Sequence, residues 1–205
     1  MLALPTWEGA FRAAGVRRAG ETAAQLPGTV ASGHPALDDV LPGGGWPRGA
    51  LVELQLGTPG IGEIRLLAGA LTAAERGGRV AFVDPPAEPV LSALQQLGHH
   101  APAITVAHAR DPRNRRWAAE QLLRSGAFAA VLAWWPDPLD DRTSRRLALA
   151  LATGAGLGFV FGPPAAIANS AALRLGLRGA GPAALYVDVL KRRGPPVPPV
   201  RVAWT

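Results

Sequence analysis

The sequence of 205 residues predicts an α/β fold with a mainly parallel sheet flanked by helices. Short apolar segments, such as those at 79–83 and 128–134, are separated by longer segments with helical spacing. Strands that alternate with helices form crossover units, and an uninterrupted apolar strand is typical of a sheet buried on both faces. Near the end, Leu alternates with Arg or Gly from 173 to 178, and Gly- and Pro-rich stretches separate the last strands, which predicts C-terminal antiparallel hairpins.

The elements follow one another in a regular order along the chain. A short helix at 35–41 precedes the glycine-rich loop at 42–45, and the core then alternates strands with helices. Strands are expected at 50–56, 79–83, 104–106, 128–134, 157–161, 172–178, 185–190 and 200–204. The longer helices are expected at 62–76, 88–97, 112–124 and 139–153.

An N-terminal helical segment, residues 1–28, is expected to precede the core at 29–205. Between positions 7 and 24 the apolar side chains recur at helical spacing, and Trp7, Phe11 and Ala14 lie near one face. Pro27 and Gly28 end the segment. Because an amphipathic helix outside a core can dock on a partner protein, these three side chains are candidates for partner binding.

Composition argues against several classes of site. Cysteine is absent, so neither a disulfide nor a cysteine-ligated metal can stabilise the fold. The four histidines show no ligand spacing with carboxylates, and no metal site is expected. No apolar run is long enough for a membrane span, and the first residues lack the pattern of a signal peptide, which predicts a cytoplasmic protein without membrane contact.

Basic charge is concentrated in the second half of the chain. Residues 1–100 hold 7 basic and 9 acidic residues, whereas residues 101–205 hold 14 and 6, a net charge of +8. This imbalance indicates nucleic acid or an acidic partner, although arginine-rich codon usage explains it as well, because 20 of the 21 basic residues are Arg. The candidate contacts, each with a solvated surface as the alternative, are Lys191, Arg192 and Arg193 at a strand end and Arg113, Arg115 and Arg116 at a helix start.

A glycine-rich turn between the first long strand and its helix has the spacing of a phosphate-binding P-loop, or Walker A motif. Gly57 and Gly62 occupy the two glycine positions of G-x-x-x-x-G-K-[ST], with Gly60 between them. The motif's Lys neutralises phosphate charge, and its Ser/Thr hydroxyl ligates Mg²⁺. Glu63 and Ile64 stand at those two positions, so we expect a degenerate nucleotide site, even though such a turn can still hold an anion.

Three blocks of sequence resemble the ImuA family, which are RecA-like proteins encoded in bacterial DNA-damage mutagenesis cassettes. They are LPGGGWPRGALVEL at 41–54, PGIGE at 59–63 and VLKRRGP at 189–195. The segments 32–38 and 42–49 also resemble the lead-in to the RecA core. The resemblance covers roughly residues 30 to 205 and implies a RecA-like core.

The resemblance also indicates where the other ATP-handling positions of RecA fall. The acid that activates the attacking water falls on Pro86 or its neighbour, with Asp84 as an alternative acid. The strand that should end in a Mg²⁺-organising Asp ends in Trp134, and Pro163 stands near the place of the γ-phosphate sensor. With Glu63 and Ile64, these departures imply a pseudo-ATPase that needs no cofactor.

By the same resemblance, the expected function is that of a non-catalytic accessory protein in SOS-induced translesion DNA synthesis and mutagenesis. The implied partners are RecA, an ImuB-type polymerase-like protein and, indirectly, an error-prone DnaE-type polymerase, with DNA as a further candidate. Phe11 and Ala14 have the Phe-x-x-Ala spacing with which some RecA-fold recombinases bind a neighbour. The alternatives are a SulA-like inhibitor of cell division and an active RecA-like ATPase.

Overall fold

The computed structural model describes residues 28–75, 78–89, 104–109, 111–154 and 156–204. The predicted helix that carries Trp7, Phe11 and Ala14 lies outside these residues, as does most of the helix predicted at 88–97. The described part forms an eight-stranded sheet and a small two-stranded one. Within it, no helix has both the length and the apolar character needed to cross a bilayer.

The strands and helices have the following bounds. The small sheet pairs β1 (Thr29–Val30) with β2 (Trp46–Pro47). The strands of the large sheet are β3 (Leu51–Leu56), β4 (Arg79–Val83), β5 (Ile104–Ala107), β6 (Phe128–Trp134), β7 (Leu157–Gly162), β8 (Leu173–Gly179), β9 (Ala184–Lys191) and β10 (Val200–Ala203). The helices are α1 (Pro35–Asp38), α2 (Glu63–Leu66), α3 (Ala68–Glu75), α4 (Pro112–Arg124) and α5 (Asp141–Ala152).

The large sheet has the order β10-β9-β8-β3-β7-β6-β4-β5. From β8 to β5 neighbouring strands are parallel, whereas β8, β9 and β10 are joined as antiparallel neighbours. The predicted α/β class, the mainly parallel sheet and the C-terminal hairpins are therefore confirmed. Because β3, β6 and β7 run in the same direction, their carboxyl ends meet at one edge of the sheet.

Apolar side chains cover both faces of the central strands. On one face Val52 and Leu54 of β3 belong to the cluster that includes Leu66 and Leu71 of α2 and α3. On the other face Leu51, Ala81 and Val131 belong to a cluster with α4 and α5. The single helix predicted at 62–76 is divided at Leu67 into two shorter helices, α2 and α3.

The connection from β7 to β8 contains no helix, and a buried polar network holds it against the sheet. Gln55 of β3 donates a hydrogen bond to the carbonyl of Ala165 and accepts one from its N–H, each at 3.2 Å. Glu53 accepts hydrogen bonds from Arg174 Nε at 2.5 Å and from Asn169 Nδ2 at 3.0 Å. Polar side chains on β3 thus replace the apolar contacts that a crossover helix would make.

Candidate functional site

The glycine-rich turn at 57–62 lies at the carboxyl edge of the sheet, between β3 and α2. Gly60 and Gly62 have φ angles of +87° and +110°, which L side chains rarely adopt. Gly62 is also the N-cap of α2 and has the left-handed backbone conformation. The glycines predicted from the motif spacing therefore form a sharp turn at the position of a P-loop.

The side chain of Glu63 fills the inside of this turn. Its Oε1 accepts a hydrogen bond from the N–H of Gly60 at 2.9 Å. Its Oε2 accepts from the N–H groups of Gly60 and Gly62 at 3.1 and 3.2 Å. Converging backbone N–H groups form a nest that binds anions, and here a carboxylate of the same chain occupies it. Glu63 is 4% exposed, and none of the ion pairs among the described residues includes it.

The ring of Trp204, which follows β10, covers the outside of the turn. A Cβ atom added to Gly62 would lie 2.7 Å from this ring. The guanidinium of Arg65 stacks over the same ring, 5.6 Å from its centroid. Ile64 packs against the apolar core and brings no oxygen to the turn. The turn is thus closed by a carboxylate on one side and an aromatic ring on the other.

Aromatic rings fill the sheet edge beside the turn. Trp134 stacks on Phe161 with centroids 4.5 Å apart, and it stacks on Phe82 with centroids 5.9 Å apart. A shallow pocket of about 160 Å³ remains between Trp134, Trp135 and three prolines, and no charged side chain lines it. This part of the sheet edge therefore offers no charged side chain to a metal ion or a phosphate. The prolines are Pro59, Pro136 and Pro163.

Asp84, the alternative acid after β4, is held in an ion pair. Its Oδ2 lies 2.5 Å from Arg115 Nε, and its Oδ1 accepts a hydrogen bond from the N–H of Ala109 at 2.6 Å. Asp84 also has a φ angle of +47°, the only positive φ of a non-glycine residue in the described part. Arg115 pairs with Asp84 and ties α4 to the end of β4, and its predicted contact with DNA or a partner stays a prediction.

The other two basic residues of that cluster have a different environment. Arg113 and Arg116 line a groove between α4 and α5 together with Trp117 and Arg146. Sequence reasoning did not associate Arg146 with this cluster, because it lies on a helix that follows the next strand. Arg115 has different surroundings from Arg113 and Arg116, and the sequence alone could not predict this difference because it does not show which face of α4 is buried.

Lys191, Arg192 and Arg193 lie at the end of β9 and in the loop after it. Lys191 Nζ donates a hydrogen bond to the carbonyl of Asn169 at 2.8 Å. Arg192 donates to the carbonyls of Val40 and Pro195 at 2.6 and 2.9 Å. Arg193 also interacts within the chain. The structure thus gives this triplet intramolecular contacts, and its role in binding DNA or a partner stays a prediction.

Comparisons with known proteins match a large part of the chain to RecA. RecA of Bacillus thuringiensis (strain Al Hakam) is 33% identical over 134 residues, which are 64% of this chain and 38% of that protein. RecA proteins of Halalkalibacterium halodurans and Bacillus velezensis are 31% and 32% identical over the same length. No family model matches the chain. The matched region spans less than two thirds of the curated relatives, and the chain is a distant, partial homologue of RecA with a RecA-like fold.

Proposed function

We propose that this chain is a non-catalytic, RecA-like accessory protein of the ImuA type that acts in DNA-damage-induced translesion synthesis. The main support is the Glu63 carboxylate inside the glycine turn. A bound phosphate would need the N–H groups of Gly60 and Gly62 that this carboxylate already occupies. It would also be repelled, by about 4 kcal/mol for two unit charges 4 Å apart at an effective dielectric constant of 20.

The surroundings of the turn further support the absence of ATP chemistry. Hydrolysis of ATP requires a cation for the phosphates, a metal ligand and a group that positions the attacking water. The corresponding places hold Glu63, Ile64 and Pro86 or its neighbour. Trp134, stacked on Phe161, stands at the end of the strand where the resemblance places a metal-organising acid. Asp84, the alternative acid after β4, is paired with Arg115.

A RecA-shaped protein without a nucleotide switch is suited to act as an adaptor. RecA and an ImuB-type polymerase-like protein are the direct partners that we propose, and an error-prone DnaE-type polymerase is reached through them. The N-terminal segment with Trp7, Phe11 and Ala14 is the part of the sequence that we propose for docking.

Co-elution of the full chain with its proposed partners tests this function. We expect a complex with RecA or with an ImuB-type protein on size-exclusion chromatography, or altered assembly of RecA filaments on single-stranded DNA. Phe11→Ala is expected to weaken the complex, whereas Arg17→Ala, on another part of the same segment, serves as the matched control. If the chain neither co-elutes with these partners nor changes filament assembly, the proposed adaptor function is wrong.

Induced expression in undamaged cells separates the adaptor from the alternative of a division inhibitor. We expect cell length to change little when the chain is produced. Filamentous growth without DNA damage would favour a SulA-like role instead.

A further inference from the structure

The groove between α4 and α5 combines cations with exposed apolar surface. It has a volume of about 260 Å³ and is lined by Arg113, Arg116, Trp117 and Glu120 of α4 and by Arg146 of α5. We refer to these five residues as the α4–α5 groove. They lie on the helical layer, away from the glycine turn and its aromatic surroundings.

The positive charges of the groove are only partly neutralised by acidic side chains of the described residues. Glu120 is 3% exposed, and its two carboxylate oxygens each lie 2.8 Å from a nitrogen of Arg146. The negative charge of Glu120 is therefore neutralised by the guanidinium of Arg146. The side chains of Arg113 and Arg116 form no hydrogen bond or ion pair with another described residue. Arg113 also lies in the first turn of α4, where the helix dipole disfavours a cation.

One large apolar side chain, that of Trp117, is exposed in the groove, and another, that of Leu149, is exposed on α5. Trp117 is 63% exposed and Leu149 is 65% exposed. Leu149 lies three residues after Arg146, so both side chains are on the same face of α5. Apolar patches rimmed by polar or charged residues are typical of interaction sites, and Trp117 lines the groove together with Arg113 and Arg116.

We propose that the α4–α5 groove binds an acidic segment of a partner protein that carries at least one large apolar side chain. Carboxylates would pair with Arg113 and Arg116, because the guanidinium fork matches a carboxylate in two hydrogen bonds. Trp117 and Leu149 would bury the apolar side chain, as aromatic anchors do at the centres of interfaces. This inference rests on the proposed function, since an adaptor without a nucleotide switch acts through its surfaces.

The groove fits a peptide better than a nucleic-acid strand. Proteins that hold single strands without sequence preference stack successive bases on several aromatic rings along a basic groove. Among the described residues, Trp117 is the only aromatic one that lines this groove, and Leu149, the large exposed apolar side chain on α5, is aliphatic.

Fluorescence anisotropy with synthetic peptides tests this surface on the full chain. The probe is a fluorescein-labelled peptide of about a dozen residues, made of Asp and Glu with one Phe and one Leu. One companion peptide has Ser in place of every acid, and another has Ala in place of Phe and Leu. We expect the first peptide to bind at least about tenfold more tightly than either companion.

Matched double variants locate the binding to the groove. Arg113→Glu with Trp117→Ala is expected to weaken binding at least about tenfold, whereas Arg201→Glu with Ile167→Ala is expected to change it less than about twofold. Arg201 and Ile167 are exposed residues elsewhere on the chain, so the control makes the same changes of charge and of exposed apolar surface. The melting temperature of each variant shows that it is folded.

Four results would overturn the inference. They are no binding of the acidic peptide, equal binding of the acidic and the Ser-containing peptides, equal weakening by the two double variants, and tighter binding of labelled oligothymidine that the groove variant abolishes. The last result would assign the groove to single-stranded nucleic acid. If the chain co-elutes with RecA but binds no peptide, only the groove inference is wrong. If it binds the peptide but does not co-elute with the proposed partners, the groove inference stands and the proposed partners are wrong.

Discussion

Two buried glutamates, one on β3 and one after the turn that follows it, are held in different ways. Glu53 is 1% exposed and is paired with Arg174, with Asn169 as a further donor. Glu63 is 4% exposed, and the hydrogen bonds to it come from the backbone of the turn. Glu53 belongs to a charge-balanced network, whereas Glu63 occupies a nest whose shape suits an anion.

The two glutamates differ in the groups that compensate their buried charge. A buried carboxylate requires a cation or several hydrogen bonds, because its desolvation is otherwise too costly. Glu53 meets this requirement with a side chain from β8, which fixes the helix-free connection between β7 and β8. Glu63 meets it with N–H groups that a nucleotide-binding protein keeps free for phosphate.

Removal of Arg174 is expected to give the largest loss of stability. Arg174→Met leaves Glu53 buried without its cation, and breaking such a pair lowers the free energy of unfolding by about 3–5 kcal/mol. Urea unfolding measures the loss. In the double variant Glu53→Gln with Arg174→Met the uncompensated charge is gone, so a smaller loss is expected. A loss of less than about 1 kcal/mol for the single variant would show that Glu53 does not need this partner.

Removal of the Glu63 carboxylate is expected to have a smaller effect. Glu63→Ala leaves the N–H groups of Gly60 and Gly62 unpaired in the turn, which costs about 1–3 kcal/mol. Because the vacated nest suits an anion, inorganic phosphate should raise the melting temperature of this variant more than that of the unmodified chain. If phosphate raises the melting temperatures of the two proteins equally, the Glu63 carboxylate does not occupy an anion-binding nest.

Substitution of Gly62 tests the outer side of the turn. Gly62→Ala places a Cβ against Trp204 at a φ of +110°, and we expect a loss of about 1–2 kcal/mol in urea unfolding. Trp204→Ala in the same chain relieves the contact but not the backbone strain. The two substitutions should therefore be non-additive by at least about 0.5 kcal/mol, and simple additivity would mean that the ring does not cover the turn.

Substitution of Asp140 is expected to have the smallest effect, a change in the free energy of unfolding that is confined to acidic pH. The N–H of Thr143 donates to this N-cap carboxylate and lowers its pKa below 3.8, and the Thr143 hydroxyl acts in the same direction. A carboxyl whose pKa is lower in the folded state stabilises the fold above its unfolded pKa and loses this contribution as the pH falls through the folded pKa. Asp140→Asn keeps a good N-cap, so its stability should fall less than that of the unmodified chain when the pH drops below about 4. Identical acid dependence of urea unfolding in the two proteins would contradict this role.

Much of the fold was predictable because its signals are local. The expected bounds of 79–83, 112–124 and 128–134 agree with β4, α4 and β6. The helix α4 has local start signals, since Asp111 caps it through the N–H of Asn114 and Pro112 follows the cap. The two-residue strands β1 and β2 are too short to produce a recognisable pattern.

The parts of the site that were not predicted depend on contacts between distant residues. Motif spacing placed Glu63 at the lysine position, but it does not determine that the side chain turns back into the nest. The stacking of Trp204 on Gly62 and the pairing of Arg115 with Asp84 join segments that the sequence separates widely. Such contacts depend on tertiary packing, which periodicity and motif spacing do not specify.

Equilibrium dialysis of the full chain against radiolabelled ATP with Mg²⁺, together with an assay of phosphate release, is the most direct test of the filled turn. We expect neither saturable binding at millimolar ATP nor phosphate release above that of buffer. Saturable binding with turnover that Gly62→Ala abolishes would contradict the proposal, because it would mean that ATP displaces the Glu63 carboxylate and that this turn still serves hydrolysis.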